Sequence, residues 1–186
     1  MYKSFFQNIA TEQGGTFLYH DKDIGIGGGI RLPKVQYLLK IPVGDTEINI
    51  INITGKEFSG HISMKLPIQP ESHTFELITN SHIKSLFIGK SKRFNINSAS
   101  SQMTEFLRNN SHIASLKEIA QEDSFQPIIT GSNEDNHYII IAKYHLEFDN
   151  WNSPVLPLID LFKEFHTRFV VHNERFANDV TISMGS

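Results

Sequence analysis

The stretch Phe58-Ser59-Gly60-His61-Ile62-Ser63-Met64-Lys65-Leu66-Pro67-Ile68 sorts its side chains by parity. Phe58, Ile62, Met64, Leu66 and Ile68 fall on one set of alternate positions, and Ser59, His61, Ser63, Lys65 and Pro67 on the other. Successive side chains of a β-strand point to opposite faces, so this pattern predicts a strand with one dry and one wet face. Such half-burial belongs to antiparallel sheets, because parallel sheets are covered on both sides and read as continuous apolar runs. Working outward, similar short β-type runs occupy residues 16–19, 36–43, 47–54, 74–79, 85–88 and 93–97, with turn residues between them. The links 43–46 and 54–56 are short and carry Gly44 and Gly55, which predicts that consecutive strands pair as hairpins. Residues 16–97 therefore read as an antiparallel β-meander or a partly closed barrel.

Either side of this region the period changes to that of a helix. Tyr2, Phe5, Phe6 and Ile9 form a short amphipathic stripe stopped by Gly14-Gly15, a lid helix for the sheet. After residue 98, serines 98, 100 and 101 offer N-caps to a stripe of Met103, Phe106, Leu107, Ile113, Leu116, Ile119 and Ala120. Asn109-Asn110-Ser111 should break that stripe, and Ser115-Leu116-Lys117-Glu118 fits a capping box, so two helices or a kinked one are expected. Two strands follow, at 127–130 and 137–148, joined by a polar loop at 131–136. Ser153-Pro154 then reads as the N-cap and first position of a closing helix. Its apolar face is Leu158, Leu161, Phe162, Phe165 and Phe169, and its outer face Lys163, Glu164, His166 and Arg168. Residues 172–186 lack periodicity and read as a mobile tail.

The expected fold class is α+β: an N-terminal lid helix and β-meander over 1–97, then a β-α-β-β-α segment over 98–171 that shares one core with it. No linker rich in Pro, Gly or Ser separates the two parts. In element order, residues 36 to 170 resemble a group of uncharacterised bacterial proteins in which a β-rich segment precedes a strand, a helix, a two-stranded hairpin and a last helix. That resemblance implies the fold class and no particular chemistry.

Composition narrows function mainly by exclusion. The chain has 186 residues, 39% hydrophobic and 20% charged, with a formal net charge of -3. That is enough apolar material for a core, and the charge argues against a nucleic-acid partner or a polybasic membrane protein. The absence of cysteine removes disulfides, thiolate metal sites and cysteine nucleophiles. No signal-type apolar segment and no run of eighteen apolar residues is present, which predicts a cytoplasmic protein without a transmembrane segment. Twenty-four isoleucines against six alanines hint at an AT-rich bacterial genome.

Each chemical motif meets a counter-argument. The glycines of Asp21-Lys22-Asp23-Ile24-Gly25-Ile26-Gly27-Gly28-Gly29-Ile30 fail the dinucleotide fingerprint at Ile30 and the calcium loop at Gly25 and Leu32, so they read as a hairpin or a close backbone contact. Ile88-Gly89-Lys90-Ser91 ends like a P-loop, but Lys84 stands where its first glycine belongs. His145 and Glu147 lie two apart in an expected strand, and His166 on the closing helix could complete a two-His-one-carboxylate metal triad. Lys143 shares their face and would oppose a cation, so neither a metal nor another cofactor is expected. Lys84, Lys90, Lys92 and Arg93 form a run free of acidic residues from Glu76 to Glu105, interleaved with Phe87 and Phe94, a pattern able to hold lipid or nucleic-acid phosphates. No G-x-S-x-G elbow occurs. The leading expectation is a non-enzymatic binding or protein-interaction module. The alternatives are a metal-dependent enzyme at His145, Glu147 and His166, and a peripheral anion binder at Lys84 to Arg93.

Overall fold

The computed structural model describes residues 1–25, 28, 30–69, 72–80, 93–122 and 125–171. Helix α1 (Tyr2–Glu12) leads into strands β1 (Thr16–Gly25), β2 (Arg31–Val43), β3 (Thr46–Gly55), β4 (Ser59–Pro67), β5 (Phe75–Thr79) and β6 (Phe94–Ser98). Helices α2 (Ser101–Asn109) and α3 (Ser111–Glu122), strands β7 (Ile128–Glu134) and β8 (His137–His145), and helix α4 (Val155–His166) with a π-helical turn at Thr167–Val171 complete the order. The strand expected at 85–88 and the tail at 172–186 lie outside the described residues.

All eight strands join one open antiparallel sheet in the order β1-β2-β3-β4-β8-β7-β5-β6, so the α+β class holds and the meander stays open rather than closing. Consecutive strands pair from β1 to β4 as the turns predict, but β4 does not go on to pair with β5. The β7–β8 hairpin is inserted between them, with β8 along β4 and β7 along β5. Side-chain fit accounts for the choice. Gly60 pairs with Tyr144, and a Cβ on Gly60 would stand 2.2 Å from the Tyr144 ring, so the glycine is the space the ring occupies. Gly131 on β7 does the same for its neighbours, since a Cβ there would come 2.3 Å from the Tyr138 hydroxyl and 2.4 Å from the Phe75 ring.

Two local expectations are corrected. Residues 131–134 are strand, not loop, and the β7–β8 turn is the pair Asp135 (φ 44°) and Asn136 (φ 66°), the positive-φ pair of a tight hairpin that Asp and Asn tolerate. The helix break falls at Asn110, whose Oδ1 accepts from the backbone N–H groups of His112 (2.9 Å) and Ile113 (3.1 Å). Ser115, expected to begin a capping box, sits inside α3, and its hydroxyl bonds back to the Ser111 carbonyl. Ser100 does cap α2, accepting from the Met103 N–H at 3.2 Å.

The core lies between one face of the sheet and the helices. Ile48 and Ile50 of β3, Ile62, Met64 and Leu66 of β4, and Tyr138, Ile140 and Ala142 of β8 are buried on that face. Phe6 of α1 meets Tyr37 at 5.3 Å between ring centroids, Phe165 of α4 stacks on Phe75 at 5.4 Å, and Phe169 meets Tyr138 at 4.9 Å. Leu158, Leu161, Phe162, Phe165 and Phe169 are all buried, as their spacing predicts. The outer face of α4 is less wet than expected. His166 is buried, Glu164 accepts a hydrogen bond from the Asn110 side chain and lies 3.2 Å from His112, and Lys163 donates to Gln13.

Candidate functional site

Residues that the sequence singles out for chemistry do not converge. His145 ends β8, paired with Ser59, while His166 packs on the β2–β3 turn, where a Cβ on Gly44 (φ 59°) would meet its ring at 2.7 Å. Its Nε2 lies 3.6 Å from Asp45 Oδ1. The register Ile48↔Met64↔Ile140 puts that turn about eight residue steps from His145, on the order of 25 Å along the strands. Glu147 is exposed beyond the end of β8. Among the described residues no three His, Asp or Glu side chains stand close enough to hold a metal ion. Lys84, Lys90 and Lys92 lie outside the described residues. Arg93 is 2% exposed and turns inward, donating from Nε to the Ala120 carbonyl (2.8 Å) and from a terminal nitrogen to the Asn80 carbonyl (2.6 Å). Its charge thus sits at the negative end of α3. Of the glycine cluster, Gly27 and Gly29 lie outside the described residues, and the strands on either side pair antiparallel up to Gly25 and Arg31.

The site that does assemble is the sheet's second face, over which no helix packs among the described residues. Strand pairing aligns Leu18, Leu38, Ile51, His61, Lys143, Ile128 and Ile78 in one row across seven strands, all on this face. Leu18 is 57% exposed and Ile128 44%, while Leu38, Ile51 and Ile78 are half-buried. The next rows add Ile53, Ile141 and Ile139, also half-buried. Down the middle runs the polar parity of β4, which is Ser59, His61, Ser63 and Lys65, flanked by Ile51 and Ile53 of β3 and by Ile139 and Ile141 of β8. A depression of about 490 Å³ opens here, bordered by Glu47, Asn49, His61, Ser63, Lys65, Glu134, Ile139 and Ile141.

The charges of this face are unevenly matched. Lys34 pairs with Glu57 (2.6 Å) and Lys40 with Glu47 (3.0 Å). Hydrogen bonds from Lys40 and Asn49 hold the Glu47 carboxyl below its usual range. Lys65 and Lys143 are exposed and join no ion pair among the described residues. Burial, then the neighbouring Lys143 charge, lowers the His61 pKa, so its imidazole favours the neutral form. No hydrogen bond links His61 to Ser63 or to a carboxylate among the described residues, so the nucleophile-base-orienter chain of covalent catalysis is not assembled. A second depression of about 570 Å³ lies along α2, lined by residues of that helix with Ala99 and with Ser98 at the end of β6.

Sequence reasoning placed His61, Ser63 and Lys65 on a wet face but assigned them nothing. It also passed over the signal that marks the site: Ile50-Ile51 and Ile139-Ile140-Ile141 are apolar on both parities, although a half-wet sheet needs only one. No protein-family model matches this chain, and neither a curated protein nor a solved structure matches it significantly. No helix among the described residues is long and apolar enough to cross a membrane.

Proposed function

We propose that this chain is a non-enzymatic binding module of a bacterial cytoplasm whose uncovered sheet face docks a protein partner. One observation carries the reading: an aliphatic row, broken only by His61 and Lys143, crosses a face that no described helix covers. Partly exposed aliphatic side chains grouped on one uncovered face are characteristic of interaction sites, whereas singly scattered ones need no explanation. The isoleucine-rich, alanine-poor composition supports the bacterial source. The separation of His145 from His166 and the inward course of Arg93 give no support to the metal-dependent and anion-binding alternatives.

Substitution on the face tests the proposal. Ile51→Lys and Ile141→Lys should leave the melting temperature within a few degrees, as half-exposed positions do. A photo-crosslinker at Leu38 should capture a discrete partner in cells, and both substitutions should abolish that adduct. Loss of folding in both variants would mean that the face is covered within the monomer, and the proposal would fall.

A further inference from the structure

We infer that the chain forms a two-fold dimer through the edge of its sheet, with Thr16–His20 of β1 pairing antiparallel with the same segment of a second copy. β1 ends the sheet, and among the described residues no strand pairs with its outer side. An uncovered strand edge carries unpaired N–H and C=O groups and is a template for another strand. The register fixes which of these groups point outward. The Pro33 carbonyl accepts from the Lys56 N–H at 2.9 Å, so odd-numbered residues of β2 turn their backbone groups to β3 and even-numbered ones to β1. Leu38 pairs with Leu18 and Lys40 with Thr16, so the even-numbered residues of β1 are the ones bonded to β2. The N–H and C=O groups of Phe17, Tyr19, Asp21 and Asp23 therefore point away from the sheet.

Side chains decide where the second copy pairs. Charges guard an edge strand against pairing, and in β1 they are confined to Asp21, Lys22 and Asp23, which leaves Thr16–His20 unguarded. A two-fold centred on Leu18 keeps all three charges outside the paired segment. It sets Phe17 against the second copy's Tyr19, and Tyr19 against its Phe17, two hydrogen-bonded pairs that use the outward groups. Centred one residue further on, Phe17 would face Asp21 and Thr16 would face Lys22; centred two further on, Phe17 would face Asp23 and Leu18 would face Lys22. With the centre at Leu18, that side chain, 57% exposed on the second face, is covered by its own copy, and the half-buried rings of Phe17 and Tyr19 gain neighbours on the core face. The dimer does not depend on a partner at the second face. It would nevertheless extend that face, because a two-fold normal to the sheet keeps the aliphatic rows of both copies on one side, joined at Leu18.

The chain contains no cysteine, so engineered cysteines give an unambiguous test on the whole protein. Leu18→Cys should yield a disulfide-linked dimer on mild oxidation, since a non-hydrogen-bonded pair holds its Cα atoms about 4.5 Å apart, within the roughly 4.4 to 6.8 Å a disulfide spans. Thr16→Cys and His20→Cys should each give no disulfide dimer of their own but should cross-link when mixed. Sedimentation equilibrium of the unmodified chain should show a monomer–dimer equilibrium, which Leu18→Lys weakens at least tenfold. Its melting temperature at concentrations where the unmodified chain is monomeric should be unchanged; if this variant fails to fold, the cysteine series decides. A chain that sediments as a monomer up to its solubility limit, a dimer indifferent to Leu18→Lys, or the absence of a cross-link between Thr16→Cys and His20→Cys would overturn the inference. So would a disulfide dimer of Ile128→Cys formed as fast as that of Leu18→Cys, which would place the contact on the sheet face instead of its edge.

Discussion

His61 shows how one side chain reports its surroundings. Burial and Lys143 place its folded pKa below the ordinary 6.5, so the unfolded chain binds more protons than the folded one as the pH falls through that range. The sign follows: stability is full above the ordinary histidine pKa and declines on acidification. We expect His61→Gln to flatten part of the fall in melting temperature between about pH 8 and pH 5. Identical slopes for the two proteins would mean that the imidazole is freely solvated. Gly60 and Gly131 work by what they lack, since each leaves room for a tyrosine from β8. The Gly60 role is not legible in sequence, because Tyr144 arrives from a strand far along the chain, and Gly131 likewise accommodates Phe75 from distant β5 as well as Tyr138 from the next strand. The Tyr144 hydroxyl even reaches Asn52, 92 residues away, at 2.9 Å.

Among the elements, α4 is the one whose reading transfers best from sequence to structure. Its 3.6-residue period names the buried face because a helix must turn its apolar stripe towards whatever covers it. Phe165 is fully buried and meets Phe75, Phe106, Phe162 and Phe169. Phe165→Ala should cost about 3 to 5 kcal/mol, a large part of the roughly 5 to 15 kcal/mol of a typical domain, and should appear as a large loss in urea midpoint. The opposite side of the helix misleads. Glu164 reads as solvent-facing, yet it holds the Asn110 side chain that caps α3. Glu164→Ala should therefore cost about 0.5 to 2 kcal/mol, the range for a weakened N-cap, rather than nothing. A change within experimental error would show that Asn110 caps α3 without it. Periodicity could not reveal this, since it records which face is apolar and not which polar group finds a partner.

At the scale of the whole molecule, insertion of β7–β8 between β4 and β5 binds the two halves of the sequence into one sheet. Residues 1–97 alone would leave β4 without β8, β5 without β7, and the buried face without α4. A fragment of residues 1–97 should accordingly show no cooperative unfolding transition, and a sharp calorimetric transition from it would contradict a shared core. Because so many pairings join distant segments, loop closure must precede most of the stabilising contacts, which predicts slow folding for a chain of this length.

What the sequence determined by itself is local. Alternation in 58–68, the turn residues at Gly44 and Gly55, and the helical stripes of α1 and α4 depend on backbone geometry within a few residues, and each is recovered in place. The tertiary structure alone decided which strand lies beside β4, that His145 and His166 occupy opposite ends of the sheet, and that Arg93 turns inward to two carbonyls. It also decided that the second isoleucine parity of β3 and β8 faces a surface no described helix covers. Strand order and the coverage of a face are set by the competition of all segments for one core, and no window of neighbouring residues contains that information.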